Sequence, residues 1–293
     1  MPMLKAYLFP AALLAGCFLT GILIYLYAPE KDTPRQADAA AAPTTSDIKK
    51  EMTPDIMQFR ENLIRDMRRT TQTKAVILRS KLTDNLPEGN ASCLGRVTRQ
   101  LPGEEWPVDA LGKRLEPLAT IYVPDFPGVP EPLRKMALIT IFAPSEAWAE
   151  NMEEKPQLGC VIRAYPTLEG LEPCDYVSEE VKTCLLTPEA VENDMPIYPG
   201  IGGGYEWWPK FRDAEALLDI DYREDVCDAV YETHKIGGYP SFLQDPPMFP
   251  AGFAFALQIT CELDAGLLIG DCGNYYFYYN AEKNEWRVYA DFG

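Results

Sequence analysis

The amino-acid sequence predicts an α+β fold: mainly antiparallel β-structure with two pseudo-repeated β-units sharing one core, a few flanking helices and an N-terminal transmembrane helix. Three observations predict this class. Short apolar runs alternate with Pro- and Gly-rich turns from Lys74 onwards, the two halves of the chain resemble each other, and residues 6–28 carry no charge. Apolar runs of this length and spacing are typical of antiparallel strands.

The N-terminal region predicts a membrane anchor at residues 6–28, after a short tail at residues 1–5. The anchor has no charged residue, and as a helix it would cross about 30 Å of hydrocarbon. Tyr25 and Tyr27 lie where interfacial aromatic residues are expected. Cleavage as a signal peptide and lipidation at Cys17 are the alternatives, although the apolar run continues well past Cys17. We expect a single-pass membrane protein whose globular domain is extracytoplasmic.

Residues 29–50 form a predicted disordered linker, because they are rich in Ala, Pro and Thr and contain little to bury. The globular domain is predicted to cover residues 51–293. It begins with a helix, since Thr53 is a suitable N-cap and Pro54 suits the first helical position. Apolar residues then recur at helical spacing, at Ile56, Phe59, Leu63 and Met67.

The rest of the domain is predicted to be mostly β-structure. Strands are predicted at the apolar runs Ala75–Leu78, Pro117–Val123, Met136–Phe142 and Gly159–Arg163. The main helix of the second half is predicted over Asp213–Thr233, with an interruption near Asp221.

The two halves of the domain show a faint internal repeat, over about residues 74–150 and 213–293. Leu94-Gly95 corresponds to Ile236-Gly237, and Leu118–Ile121 corresponds to Ala256–Ile259. Neither half alone would bury enough surface for independent stability. The sequence therefore predicts two β-units with a common core.

The charge of the chain argues against one class of function. Lys5 is the only charged residue before position 29, so residues 29–293 hold all but one of the 27 Lys and Arg residues against 44 Asp and Glu residues. A surface this acidic repels phosphate backbones, and nucleic-acid binding is not expected. The charge either keeps the domain soluble or forms a docking surface for a basic protein partner.

The segment His234-Lys-Ile-Gly-Gly-Tyr-Pro-Ser-Phe-Leu-Gln244 is the most distinctive part of the chain, and it contains the only histidine. Gly237 and Gly238 are predicted to supply backbone conformations with positive φ, and Pro240 fixes the turn that follows. Gly95 is predicted to play the same structural part in the first half.

This segment and several others resemble the YwqG-like family of uncharacterised, mostly bacterial proteins. The matching segments are Ser92-Cys-Leu-Gly-Arg96, Trp106-Pro107, His234–Gln244, Phe253–Ile259 and Asp271–Tyr279. The resemblance covers the chain from about Lys74 to its C-terminus, and it departs from the family pattern at Arg96, where a second Gly is usual. It identifies residues 51–293 as a YwqG-like domain. It implies no chemistry, and only weakly suggests binding of a protein partner.

Gln244 and Gln258, which each end or interrupt an apolar strand in the prediction, are candidate binding residues, because a buried amide must find partners for its donors and its oxygen. They either bond to neighbouring backbone or line a pocket between the halves. The pocket would also contain His234 and the aromatic side chains Trp106, Trp207 and Tyr239.

The rival function is a hydrolase or small-molecule binder that uses this pocket, with His234, Gln258 and Asp271 as its polar groups. Glu232 is the nearest candidate carboxylate for His234 in the sequence. The chain has no Gly-x-Ser-x-Gly motif and no Cys-x-x-Cys motif, so no catalytic residue, metal site or cofactor is predicted. The favoured function is a membrane-tethered, non-enzymatic domain that binds a protein partner.

Overall fold

The computed structural model describes residues 53–144, 157–197, 208–244 and 251–292. The predicted anchor, the predicted linker and Trp207 lie outside these ranges. Within them, no helix combines the length and the apolar character needed to cross a membrane.

Helix α1 (Pro54–Thr71) confirms the predicted first element. The Oγ1 atom of Thr53 accepts a hydrogen bond from the backbone N–H of Ile56, so the N-cap forms as the sequence indicates. Met67 is fully buried near the end of the helix, where it belongs to a small core separate from the main one. The other buried members of this small core are Met195, Phe211, Leu218, Ile220, Tyr222 and Val226.

Twelve strands lie in the described part of the chain. Their bounds are β1 Thr73–Leu82, β2 Ser92–Leu94, β3 Arg96–Gln100, β4 Glu116–Tyr122, β5 Leu138–Ala143, β6 Val161–Tyr165, β7 Glu172–Val177, β8 Cys184–Asp194, β9 Lys235–Gly237, β10 Ala254–Thr260, β11 Asn274–Asn280 and β12 Glu285–Asp291. The predicted strands at Ala75–Leu78, Pro117–Val123, Met136–Phe142 and Gly159–Arg163 fall within β1, β4, β5 and β6, apart from one or two residues at their ends.

Ten of these strands form one sheet, in the order β12-β11-β10-β9-β1-β8-β2-β4-β5-β6, and β3 pairs with β7 outside it. Every neighbouring pair is antiparallel. The fold is therefore mainly antiparallel β-structure with few helices, as predicted.

The main core is enclosed by the curved sheet. One cluster of buried side chains joins residues from both ends of the strand order, including Val76, Ile121, Ile141, Ile236 and Phe277. Just before β6, the amide of Gln157 donates a hydrogen bond to the carbonyl of Trp286 in β12, over 3.5 Å. The two edges of the sheet thus approach each other, and the sheet is close to a barrel.

The predicted second helix is shorter than expected. Helix α2 covers Trp208–Leu218 and is followed by a π-helical turn at Tyr222–Val226, while residues 227–233 are not helical. The prediction of a helix through Thr233 was therefore wrong. Asp219 has a φ of 49°, which ends α2, and the side chain of Asp221 then caps the next turn by accepting from two backbone N–H groups.

Candidate functional site

A fully buried ion pair lies behind the His234–Gln244 segment. The Nζ atom of Lys235 is 3.2 and 3.1 Å from the two carboxylate oxygens of Asp194, and neither side chain has any exposed surface. Burial raises the pKa of Asp194 and lowers that of Lys235, because the loss of hydration exceeds the mutual attraction of the two charges. The sequence reasoning missed this pair.

The glycine turn is built against this carboxylate. Gly237 and Gly238 have φ values of 68° and 71°, and the backbone N–H of Tyr239 donates to Asp194 over 2.8 Å. A Cβ atom on Gly238 would collide with the Asp194 carboxylate and lie 2.8 Å from the Cβ of Ala75. Glycine is required here for conformation and for space. Gly95 has the same φ of 68° after β2, and Pro240 is buried beyond the turn.

Gln258 has all of its hydrogen-bonding groups occupied within the protein. Its Oε1 atom accepts from the backbone N–H of Ser241 over 2.9 Å, and its Nε2 atom donates to the carbonyl of Thr233 and to Thr260 Oγ1. It is fully buried. These contacts tie the His234–Gln244 segment to β10, which is the structural alternative considered for this residue.

Gln244 lies in an exposed bend and not in or at the end of a strand, so this part of the prediction was wrong. Its side-chain amide donates to the carbonyl of Phe292 over 2.6 Å, and its backbone N–H donates to the carboxylate of Asp291. The same Asp291 oxygen accepts from Leu243 N–H, and its other oxygen is 2.9 Å from the Tyr276 hydroxyl. Burial raises the pKa of Asp291, against the effect of these donors.

His234 is buried, and both of its ring nitrogens face partners. Nδ1 accepts from the backbone N–H of Thr260 over 3.0 Å, so the ring proton belongs on Nε2, which lies 3.6 Å from the carboxylate of Glu262. Ser80 donates its hydroxyl to the same carboxylate. The carboxylate that faces His234 is therefore Glu262 and not Glu232. Burial lowers the pKa of His234, and Glu262 opposes this shift.

The remaining predicted site residues lie elsewhere. Trp106 lies in the first half, where its indole N–H donates to the carbonyl of Leu115 over 2.7 Å and its ring packs 4.5 Å from that of Tyr176. Asp271 is exposed and forms no hydrogen bond or ion pair with a described residue. Tyr239 is half-buried at the turn. His234 and Gln258 therefore contact different groups around the glycine turn, and Trp106 lies in the other half of the domain.

A cleft does lie between the two halves, with other residues in its walls. This inter-unit cleft of about 190 Å³ is lined by Glu116, Leu118, Ala143, Pro144, Glu180, Val181, Gly266, Leu267, Leu268 and Tyr275. Glu116 is held in place, since its carboxylate accepts from Ser178 Oγ over 2.6 Å and from Glu179 N–H over 3.0 Å. The cleft combines an apolar floor with carboxylates.

A second, larger cleft is basic, although the whole chain is acidic. This arginine cleft of about 410 Å³ lies beside β3 and β7 and is lined by Asn85, Leu86, Pro87, Gly89, Ala91, Arg96, Thr98, Arg99, Pro173, Cys174 and Asp175. Arg96 pairs with Asp175 at 2.5 Å through Nε. The side chain of Arg99 has no hydrogen bond or ion pair with any residue that the structure describes. The sequence reasoning did not single out this cleft.

Among the described residues, no group of three or more His, Cys, Asp and Glu side chains is arranged to hold a metal ion.

A family model described as a domain of unknown function (DUF1963) matches residues 92–290. No curated protein matches the chain significantly. The matched segment begins with β2, ends within β12 and contains every residue of the inter-unit cleft. Because this match spans well over half of the sequence, the chain belongs to the family of the domain of unknown function DUF1963.

Proposed function

We propose that this chain is a membrane-tethered, non-enzymatic YwqG-like domain that binds a basic segment of a protein partner in the inter-unit cleft, on the extracytoplasmic side. The observation that carries the proposal is the composition of that cleft. It places the carboxylates of Glu116 and Glu180 beside the apolar side chains of Leu118, Leu267 and Leu268.

The cleft fits a lysine or arginine side chain better than it fits a neutral one. The aliphatic stem of such a side chain can cover leucine surface while its charged end reaches a carboxylate. Leu268 is 59% exposed in the structure, and the neighbouring Leu263 is 64% exposed. Burial raises the pKa of Tyr275, so its phenol stays neutral at the base of the cleft.

The net charge of −17 supports a basic partner over an acidic one. Complementary charge accelerates the encounter between partners and disfavours partners of the same sign. Salt screens such contacts, and the affinity of the complex should therefore fall as ionic strength rises.

The surroundings of His234 favour a non-enzymatic function over a hydrolase. A general base must have a free ring nitrogen within reach of the group that it deprotonates. In this structure Nδ1 already accepts from Thr260, and the nitrogen that faces Glu262 carries the proton. Ser80 donates to Glu262 and not to His234, so no serine in the described ranges pairs with the only histidine.

Binding can be tested with the full chain in detergent and a fluorescein-labelled peptide of alternating Lys and Leu. A peptide with Glu in place of Lys is the matched control probe. We expect the Lys peptide to bind at low salt and the Glu peptide not to bind. Glu180→Gln should weaken binding about two- to fivefold, as for a rim charge, and Leu268→Ser should weaken it about tenfold.

Glu169→Gln is the control variant, because it removes the same charge from an exposed loop outside the cleft. Absence of Lys-peptide binding at low salt would overturn the proposal. An equal loss of affinity in Glu169→Gln and Glu180→Gln would show that only the overall charge matters, and it would remove the cleft from the proposal.

The membrane tether can be tested by cell fractionation followed by intact-mass measurement. A full-length mass in the membrane fraction supports an uncleaved helix at residues 6–28. A chain that begins at a lipidated Cys17 would make the protein a lipoprotein. A chain that begins near Glu30 in the soluble fraction would contradict both anchors.

A second candidate function is the binding of a small anionic molecule in the arginine cleft. The specific observation is that Arg99 faces a cleft of about 410 Å³ and its side chain has no described partner. Calorimetric titration with citrate tests this function, since a planar guanidinium binds carboxylates through two parallel hydrogen bonds. Arg99→Ala should abolish the heat of binding, while Arg134→Ala, an exposed arginine outside the cleft, should retain it. No heat with the unmodified chain would refute it.

A further inference from the structure

Two cysteines at the two ends of the loop between β10 and β11 are in contact. Cys261 follows β10 and Cys272 precedes β11, and their Sγ atoms are 2.6 Å apart. Seven cysteines lie in the described part of the chain, and the one thiol–thiol hydrogen bond among them joins Cys261 and Cys272.

The backbone explains why these two side chains meet. The N–H of Cys261 donates to the carbonyl of Gly273 over 3.1 Å, which extends the β10–β11 ladder by one step beyond Thr260 and Asn274. Cys261 thus lies opposite Gly273, and Cys272 is the next residue along the facing chain. Cys272 has a φ of 72°, a left-handed conformation uncommon for a residue other than glycine.

The chain between the two cysteines forms one wall of the inter-unit cleft. Gly266, Leu267 and Leu268 line the cleft. Ala265, Leu267 and Ile269 are buried in the main core, and the carbonyl of Ala265 accepts from Lys182 N–H over 2.8 Å. A covalent bond between Cys261 and Cys272 would close this wall into a ring.

We propose that Cys261 and Cys272 form a reversible disulfide that fixes the 262–271 segment, and with it one wall of the inter-unit cleft. The oxidant is a small-molecule disulfide such as glutathione disulfide, or a protein disulfide of an oxidising compartment. The assignment of the disulfide does not depend on the proposed function, because it rests on the two thiols and their backbone.

The reaction is thiol–disulfide exchange in two steps. Cys272 is the exposed thiol, and its thiolate attacks one sulfur of glutathione disulfide, forming a mixed disulfide and releasing one glutathione thiolate. The thiolate of Cys261 then attacks the Cys272 sulfur and releases the second glutathione. Two protein thiols are oxidised, one external disulfide is reduced, and the two protons pass to the two glutathione thiolates.

The test uses the full chain in detergent, first reduced and then treated with glutathione disulfide. We expect the thiol titre to fall by two and the intact mass to fall by about 2 Da, which corresponds to the two hydrogen atoms lost. Glu262, Asp264 and Asp271 lie between the cysteines. A protease that cuts after acidic residues therefore yields two peptides that stay linked until reductant is added.

Cys272→Ser and Cys261→Ser should each abolish the linked peptides, whereas Cys174→Ser, a half-buried cysteine in β7, should retain them. Linked peptides from another pair of cysteines, or a stable glutathione adduct on Cys272 without ring closure, would overturn the assignment.

Hydrogen exchange tests the effect on the cleft wall without any substitution. Amides of residues 262–271 should exchange about tenfold more slowly in the oxidised chain than in the reduced chain, because the ring restricts local opening. Linked peptides with unchanged exchange would overturn the proposed constraint on the wall. Lys-peptide binding that differs between the two redox states would support the coupling to the cleft.

Discussion

Replacing Lys235 by methionine tests the buried ion pair most directly. Methionine has a similar length and fits an apolar strand, so the change removes the charge without leaving a large cavity. In Lys235→Met, the Asp194 carboxylate loses a partner at 3.1 Å and keeps the backbone donor of Tyr239 at 2.8 Å. Because Asp194 has no exposed surface, water cannot replace the lost ammonium group.

Removing one partner of a buried ion pair costs about 3–5 kcal/mol of unfolding free energy. Domains of ordinary stability have only about 5–15 kcal/mol to lose, so the variant should be clearly less stable. Adding Asp194→Asn should recover about 1–3 kcal/mol, because the asparagine oxygen can still accept from Tyr239 and no charge remains buried. The double variant is therefore expected to be more stable than Lys235→Met alone.

The pH dependence separates this mechanism from simple loss of packing. The pKa of Asp194 is already raised by burial, and removing the ammonium group raises it further. A folded-state pKa above the unfolded value stabilises the protein at low pH, and this stability is lost as pH rises through the folded pKa. The deficit of Lys235→Met should therefore shrink as pH falls from 8 to about 5.

Urea titration of the full chain in detergent, followed by tryptophan fluorescence, gives the unfolding free energies of the single and double variants. A loss below about 1 kcal/mol in Lys235→Met would refute the view that Asp194 depends on its partner. So would a pH-independent deficit, or a double variant no more stable than Lys235→Met.

Three further predictions concern the same domain. Gly238→Val should lower the unfolding free energy by about 1–3 kcal/mol. The loss should exceed that of Gly112→Val, because Gly112 has a similar φ of 81° but open space around it. Equal losses in urea titration would show that space at Gly238 is irrelevant. Burial raises the pKa of Glu215 to about 7, helped by repulsion from the carboxylate of Asp221. The unfolding free energy should therefore fall as pH rises through 7, and Glu215→Gln should flatten this fall in thermal melts. Asp213→Asn on the same helix is the control, and an unchanged pH dependence in Glu215→Gln would contradict the assignment. Burial lowers the pKa of His234, so the stability that its neutral ring contributes is present above the unfolded pKa of about 6.5 and is lost as pH falls below it. Its ring signals in NMR spectra, which are easily assigned because it is the only histidine, should not shift between pH 8 and about 6.5. An ordinary titration curve would refute the buried, neutral ring.

Local patterns predicted the elements that depend on local interactions. The start of α1 follows from Thr53 and Pro54, and the long strands follow from apolar runs such as Leu138–Ala143. The end of α2 was misjudged because apolar spacing continues through Val226 and Val230, whereas Asp219 and Asp221 stop the helix through backbone conformation and capping.

The candidate site was harder to predict, because its contacts join residues that are distant in the sequence. Asp194 and Lys235 are 41 positions apart, and Glu262 reaches His234 from the far end of β10. One signal was present in the sequence. A lysine in an apolar strand beside a glycine turn must be either exposed or paired with an acid. If Lys235 had been predicted to be buried, this rule would have predicted a buried carboxylate beside it.

The place of β1 explains how one core can serve both halves. The family match begins at Ser92, yet β1 lies at the centre of the sheet, where it pairs with β8 on one side and with β9 on the other. Beyond this central pair, β9 to β12 extend to one edge and β2, β4, β5 and β6 to the other. Each side of the central pair therefore holds four strands, and the repeat of two β-units stays a prediction.

In this arrangement β1, at the start of the first half, pairs with β9 of the second half, and β8, which lies between the two predicted repeats, pairs with β2 of the first half. The strands β9–β12 and the strands β2, β4, β5 and β6 each depend on β1 or β8 for their innermost ladder, and the backbone groups of Ile236 and Leu94 would lose these partners if β1 and β8 were removed. Leu118 of β4 and Tyr275 of β11 both line the inter-unit cleft, so the sheet that joins the two halves also forms the surface between them.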